Sequence, residues 1–219
     1  MRCQWLSHNL TNETPCYGGR KNIDIQPDSQ ISTGHSCNSL TISMSNHTGS
    51  HVDAPNHFIS GGASITEYSA EDWVFTKPHL IDLSVPLGTL VTSSSIEKEL
   101  QSIPHGTDLV FFRFGMEKHR NTENYWSSNP GLSDDLVARL KKHPDLSAIA
   151  LDTISLTSFE HREAGRIAHR AFLGSNFRVF EDLSLQSLDI DSMPSMVVAC
   201  PLPIQGADGA PCSVLGIWN

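Results

Sequence analysis

Leu40, Ile42 and Met44 alternate with Thr41, Ser43 and Ser45, the period-two pattern of a half-buried strand that delivers the chain into His47. Short β-rich runs bounded by Pro, Gly or Ser follow at His79–Ser84, Asp108–Phe114 and Ala148–Asp152. Between the last two, Ser133, Asp134 and Asp135 precede Leu136, Val137 and Leu140, and Lys141, Lys142, His143 and Pro144 close the run. That order of acid, apolar stripe and base predicts a helix whose charges suit its macrodipole. A second helix is predicted over Phe159–Leu173, because Ala164, Ile167, Ala168, Ala171 and Phe172 follow helical spacing and Gly174 can end it. His169 lies at the edge of that stripe. Phe177–Leu183 then reads as a strand with Phe177, Val179 and Glu181 on one face, so a carboxylate ends an otherwise buried row. Val197–Ala199 and Val214–Ile217 are strand-like around a turn at Gly206–Pro211. Strands alternating with two helices make the predicted class α/β.

No repeat, low-complexity tract or convincing linker interrupts this pattern, so one domain over residues 1–219 is expected. The apolar share of 38% is enough for a sizeable core. A formal charge of −9, with no Lys/Arg cluster among aromatics, excludes the usual nucleic-acid footprint. No apolar run approaches the roughly 20 residues that span a bilayer, and MRCQWLSHNL has no basic region ahead of an apolar stretch. A soluble, unexported protein is expected. The five cysteines are scattered and form no CxxC pair, which reads as reduced thiols. Sequons stand at Asn9, Asn12 and Asn46, but a glycan on Asn46 would crowd His47, which points to the cytoplasm.

Eleven histidines are many for this length, and four candidate ligands fall together in His47-Thr-Gly-Ser-His51-Val-Asp53-Ala-Pro-Asn-His57. Imidazole and carboxylate are the usual donors to a catalytic Zn²⁺ or Mn²⁺. Gly49 and Pro55 make poor helix, so the segment is expected to be a tight turn and a short extended piece. There His51 and Asp53 point the same way, and Gly49 lets the backbone bend to bring His47 beside them. Asp53 has two oxygens and could bridge two ions, which would need further ligands; His169 and Glu181 are the candidates. Both would otherwise be unpaired polar groups near a core. His8, His35, His79, His105, His119, His143 and His161 are read as ordinary surface or satisfied residues.

These residues resemble the cyclase family of metal hydrolases, which includes bacterial kynurenine formamidase and isatin hydrolase and carries the motif HxGTHxDxPxH. The similarity extends through Leu6-Ser-His8, Glu13-Thr-Pro, Ile81-Asp-Leu-Ser, Phe112-Phe-Arg, Tyr125-Trp126, Pro130-Gly-Leu-Ser, Leu151-Asp-Thr, Val179-Phe-Glu-Asp-Leu and Pro203–Pro211. It implies a swivelling β/β/α fold, a homodimer and one or two Zn or Mn ions. It also implies metal ligands at His47, His51, Asp53, His169 and Glu181, an acid/base at His57, and aromatic substrate contacts at Tyr17 and Trp126. Three departures stand out. Pro15-Cys-Tyr17-Gly-Gly-Arg20 replaces the formamidases' PxWPGD, which counts against kynurenine formamidase proper. Ser50 replaces the motif's Thr, and Ser213 stands where many relatives carry Arg.

The expected activity is hydrolysis of a small aryl formamide or cyclic amide, with metal-activated water attacking the carbonyl. His57 would take the proton and return it to the leaving group. Two alternatives stay open: a biosynthetic cyclase or dehydratase using the same acid/base, and a metal-binding relative without activity.

Overall fold

The computed structural model describes residues 1–219 and realises the alternation of strands and helices. The strands in chain order are β1 (Arg2–Trp5), β2 (Ile23–Ser29), β3 (Ser39–Met44), β4 (His51–Asp53), β5 (Val74–Phe75), β6 (Pro78–Asp82) and β7 (Leu90–Val91). They continue with β8 (Leu109–Arg113), β9 (Gly131–Leu132), β10 (Ala148–Leu151), β11 (Arg178–Glu181), β12 (Met196–Pro201) and β13 (Gly209–Trp218). The α-helices are α1 (Glu97–Gln101), α2 (Asn124–Ser127), α3 (Leu136–Leu140) and α4 (Arg162–Gly174).

One mixed sheet runs in the order β5-β12-β13-β4-β11-β10-β8-β6, and β1 pairs with the later part of β13. The segment β11-β10-β8-β6 is parallel, which explains why β8 and β10 read as near-continuous apolar runs: both faces are covered. Val110, Phe112, Ile149, Leu151 and Val179 point toward the helices and pack with Ala168 and Phe172 of α4. Leu109, Phe111, Ala148, Ala150 and Phe180 point the other way, onto Val197, Ala199 and Val214, so the sheet curls around a second core. The period-two rule thus sorts each strand between two cores. No helix is long and apolar enough to cross a membrane.

Two expectations are corrected. β3 is a strand, but it pairs only with β2 in a two-stranded hairpin, and Leu40 and Ile42 are 62% and 53% exposed instead of half-buried. Helix α4 buries Gly165, Ala168, His169, Phe172 and Leu173, leaving Ile167 exposed. The stripe turns because Gly165 meets Thr157, whose Oγ1 would lie 2.2 Å from a Cβ there. His169 therefore faces the sheet from the middle of the buried stripe and not from its edge.

Behind β11, Asp182 takes a left-handed conformation, φ 54°, and is fully buried. Arg120 donates to both its oxygens, at 3.1 and 2.7 Å, and the Tyr125 hydroxyl donates to it as well. This clamp fixes the end of the strand that carries Glu181. Removing one partner of a buried pair strands the other charge, so Arg120→Ala should lose about 3–5 kcal/mol of stability, measured by urea unfolding. A loss under ~1 kcal/mol would mean that water reaches Asp182.

Candidate metal centre

The turn between β3 and β4 passes through Gly49 at φ 71°, where a Cβ would come within 2.5 Å of Leu10 Cδ2. A side chain there would be strained by the left-handed backbone and would have to push Leu10 aside. β4 then lies between β13 and β11, with Val52 in the second core and His51 and Asp53 on the helix-side face. Its register sets Glu181 opposite His51 and Val179 opposite Asp53. Helix α4 lowers His169 onto the same spot, and a short turn, Pro55–His57, carries His57 to its rim. The structure therefore brings together His47, His51, Asp53, His57, His169 and Glu181 around one cavity of about 290 Å³.

Backbone carbonyls orient two of the imidazoles. His51 Nδ1 donates to Gly49 O at 2.8 Å and His169 Nδ1 to Gly165 O at 2.7 Å, because a carbonyl can only accept. Each ring then turns its Nε2 inward. His51 Nε2 lies 3.4 Å from Asp53 Oδ1 and 3.4 Å from Glu181 Oε2. His169 Nε2 lies 3.2 Å from Glu181 Oε1 and 3.7 Å from Asp53 Oδ2. His47 Nδ1 is 2.8 Å from Asp53 Oδ1.

Two carboxylates buried this closely repel each other. Burial pushes the Asp53 carboxyl up, but hydrogen bonds and charge from His47 and His51 prevail and hold it well below the usual range. Burial and Asp53 push Glu181 up, and His169 and His51 draw it below its ordinary value. The imidazoles move the opposite way: against burial, Asp53 and Glu181 raise His51 well above its ordinary pKa, and Glu181 raises His169. Positive charge is demanded at this point, and a divalent cation supplies it as well as protons do. Asp53 Oδ2, buried with no hydrogen-bond partner, is a vacant donor aimed into the cluster. His51, Asp53 and Glu181, and separately His47, Asp53 and His57, are each close enough to hold an ion. The donor set fits a Zn²⁺- or Mn²⁺-type ion.

Asp208 is the residue that sequence reasoning missed. Its Oδ2 lies 2.7 Å from His57 Nδ1 and 3.1 Å from His47 Nε2, and Asn46 Nδ2 donates to its Oδ1 at 2.7 Å. Burial opposes its ionisation, but His57, His47 and Asn46 together lower its carboxyl to about 2. Its setting, Gly206-Ala-Asp-Gly-Ala-Pro, carries every mark of a turn, which masked the carboxylate. Tyr17 lines the cavity and packs on Phe159 at 5.7 Å. Trp126 does not: it sits one layer behind, against Phe159 at 6.0 Å and under Gly19, whose Cβ would meet it at 2.6 Å. It supports the loop that carries Tyr17.

The Cyclase family model matches residues 5–158, more than half of the chain. The chain belongs to the cyclase family. Cyclase-like protein 1 of Arabidopsis thaliana is 28% identical over 214 residues, which cover 94% of this chain and 81% of that protein. Kynurenine formamidase of Polaromonas naphthalenivorans is 26% identical over 181 residues, covering 83% and 75%. Among solved structures, isatin hydrolase A from Ralstonia solanacearum superposes with a TM-score of 0.83 at 23% identity, covering 100% of this chain and 92% of that one. The cyclase fold expected from the sequence is therefore the fold observed.

If the buried carboxylates need a cation, Zn²⁺ or Mn²⁺ at about 100 times its Kd should stabilise the protein by ~2.7 kcal/mol. For a chain of this size that raises Tm by roughly 5–10 °C, and a chelator should reverse it. A Tm indifferent to both would show that the cluster is neutralised by protons alone.

Proposed function

We propose that this chain is a metal-dependent amidohydrolase that cleaves the C–N bond of a small aryl formamide or cyclic amide. One observation carries the reading: Asp53 and Glu181 share a buried face with the inward-turned imidazoles of His51 and His169, with His47 against Asp53 and a His57–Asp208 pair at the cavity. Relatives named kynurenine formamidase and isatin hydrolase support the same chemistry.

His47, His51, Asp53, His169 and Glu181 would hold the metal, as one ion or two. Bound there, Zn²⁺ or Mn²⁺ supplies Lewis acidity toward the substrate carbonyl and makes water acidic near neutral pH. The chain's own residues do the rest. Asp208 accepts the Nδ1 proton of His57 and so leaves Nε2 free to take a proton from the attacking water. His57 then delivers that proton to the leaving nitrogen as the C–N bond breaks, giving the carboxylic acid and the free amine. Tyr17 and Phe58 line the cavity and offer aromatic surface to a ring-bearing substrate.

We treat residues 1–219 as one domain because a single sheet holds both ends of the chain. A homodimer is part of the proposal: the β2–β3 hairpin exposes Ile31, Leu40 and Ile42, and a second copy would cover them. A reducing compartment such as the cytoplasm suits five free cysteines and an Asn46 whose amide is committed to Asp208 and Gly209.

Metal content and turnover of purified variants test the roles. Asp53→Ala should lose metal and activity together, whereas His57→Ala should keep its metal and lose about 10²-fold to 10⁴-fold in kcat on a panel of aryl formamides, isatin and lactones. Equal metal loss in both would remove His57 from proton transfer, and no turnover by the wild type across the panel would end the hydrolase reading. Leu40→Asp with Ile42→Asp should convert the dimer to monomer in light scattering, with Tm unchanged within ~2 °C for the monomeric fold; a wild-type monomer refutes the interface.

A further inference from the structure

Helix α4 carries two arginines where its own electrostatics disfavours them. Arg162 is its first residue and Arg166 lies one turn on. A helix start bears partial positive charge and favours anions. Residues four apart are also surface neighbours, where like charges repel. Glu163 relieves this only in part: it meets Arg166 Nη1 at 2.9 Å, on side chains 73% and 48% exposed, where solvent screens the pair. Arg162 has no carboxylate partner, and its guanidinium lies over the Phe159 ring, 4.8 Å from the centroid. Such a local conflict, left uncompensated, is what functional sites show.

Both guanidiniums line the cavity that holds His57, His169 and Glu181, and no other arginine or lysine does. Their charge is felt at Tyr17 on the same cavity wall: burial and Glu181 raise its pKa, and Arg162 and Arg166 work against that rise. Arg162, Arg166 and His169 are spaced i, i+4 and i+7, so they form one stripe along the helix. The seven steps from Arg162 to His169 span about 10 Å of helix axis. A molecule lying along this stripe puts one end beside His169 and Glu181 and the other against the guanidiniums.

Resting on the amidohydrolase reading above, we propose that the site selects aryl amides that carry a carboxylate remote from the scissile bond, with Arg162 and Arg166 as its binding residues. The planar guanidinium fork matches a carboxylate in geometry and charge. Arg162 is held ready by its stacking on Phe159, which limits the rotamer freedom lost on binding. Uncharged cyclic amides have nothing to offer this end of the cavity.

The test is a matched pair, 4-formamidobenzoate and its methyl ester, with the metal-loaded enzyme. The acid should show a KM roughly tenfold or more below that of the ester, as expected of charge-assisted hydrogen bonds. Arg162→Ala with Arg166→Ala should reduce the preference to under about twofold, and the double Lys variant should keep part of it. Both side chains are exposed, so an unchanged Tm will confirm that the fold persists. Calorimetry on His57→Ala reads binding of the same pair without turnover. Equal KM and equal affinity for acid and ester, or a preference that survives the double Ala variant, overturns the inference and leaves the hydrolase reading intact. Arg-dependent binding of the acid with no hydrolysis by the wild type supports the arginine site and overturns the hydrolase reading. Absence of binding by either compound overturns the inference.

Discussion

Two carboxylates that repel each other, Asp53 and Glu181, are buried on neighbouring antiparallel strands, and the rest of the molecule is arranged around keeping them ionised there. Their strands pair so that Glu181 faces His51 and Asp53 faces Val179, which places the two acids diagonally across one sheet face. Neither reaches solvent: the residues are 1% and 3% exposed. An isolated buried carboxylate would take up a proton, because losing its hydration costs several kcal/mol. Here three imbalances are set against that outcome. His47 and His51 stand against Asp53, His169 and the Leu156 backbone N–H, 2.8 Å away, stand against Glu181, and one Asp53 oxygen is left without any protein partner. The cluster is thus nearly satisfied by protein alone, and the oxygen left over is open to a cation.

Such an arrangement holds only on a stiff frame. β4 has three residues, yet it is bonded on both edges and its Val52 is anchored in the second core. β11 is held by parallel pairing to β10 and, beyond its end, by the Arg120–Asp182–Tyr125 clamp. Consecutive acids therefore serve opposite purposes: Glu181 projects into the cavity, and Asp182 turns back into a neutralising pair that keeps Glu181 from drifting. α4 is held close by Gly165 against Thr157, and the carbonyl of that same glycine orients His169. Two features of one residue, its missing side chain and its backbone oxygen, set the height and the tautomer of His169.

The segment from His47 to His57 was legible because its logic is local. Alternation puts His51 and Asp53 on one face, and glycine adopts the left-handed turn before them without strain. His169 and Glu181 were legible for a different reason, since polar groups sat in rows that periodicity marks as core. What could not be read has a common cause in long-range packing. Asp208 meets His57 across 151 positions of chain, and its own neighbours spell a turn. The apolar face of β3 matches a buried strand in every local respect, but whether a strand lies over a core or projects from it depends on partners elsewhere. The tilt of α4 was misjudged by about one residue because the close contact at Thr157, not the apolar spacing, decides which stripe faces inward. Trp126 failed similarly, as its place behind Phe159 depends on how two distant loops stack.

The division between frame and rim explains how one fold can serve several chemistries. Everything that carries the buried acids comes from strands, a long helix and backbone carbonyls, where a one-residue change of register would turn each donor away. Tyr17, Phe58 and Arg162 come instead from a short turn, the end of the Pro55–His57 turn and a helix end, positions that accept substitution without disturbing the sheet. The loop Tyr17–Gly19 packs on Phe159, the same ring that lies under Arg162. A change in that loop therefore shifts both the aromatic wall and the charged rim in one step, while the distances among His51, Asp53, His169 and Glu181, fixed by strand register and helix packing, stay as they are. Substrate preference can drift along the rim because the charge balance at the floor does not have to move with it.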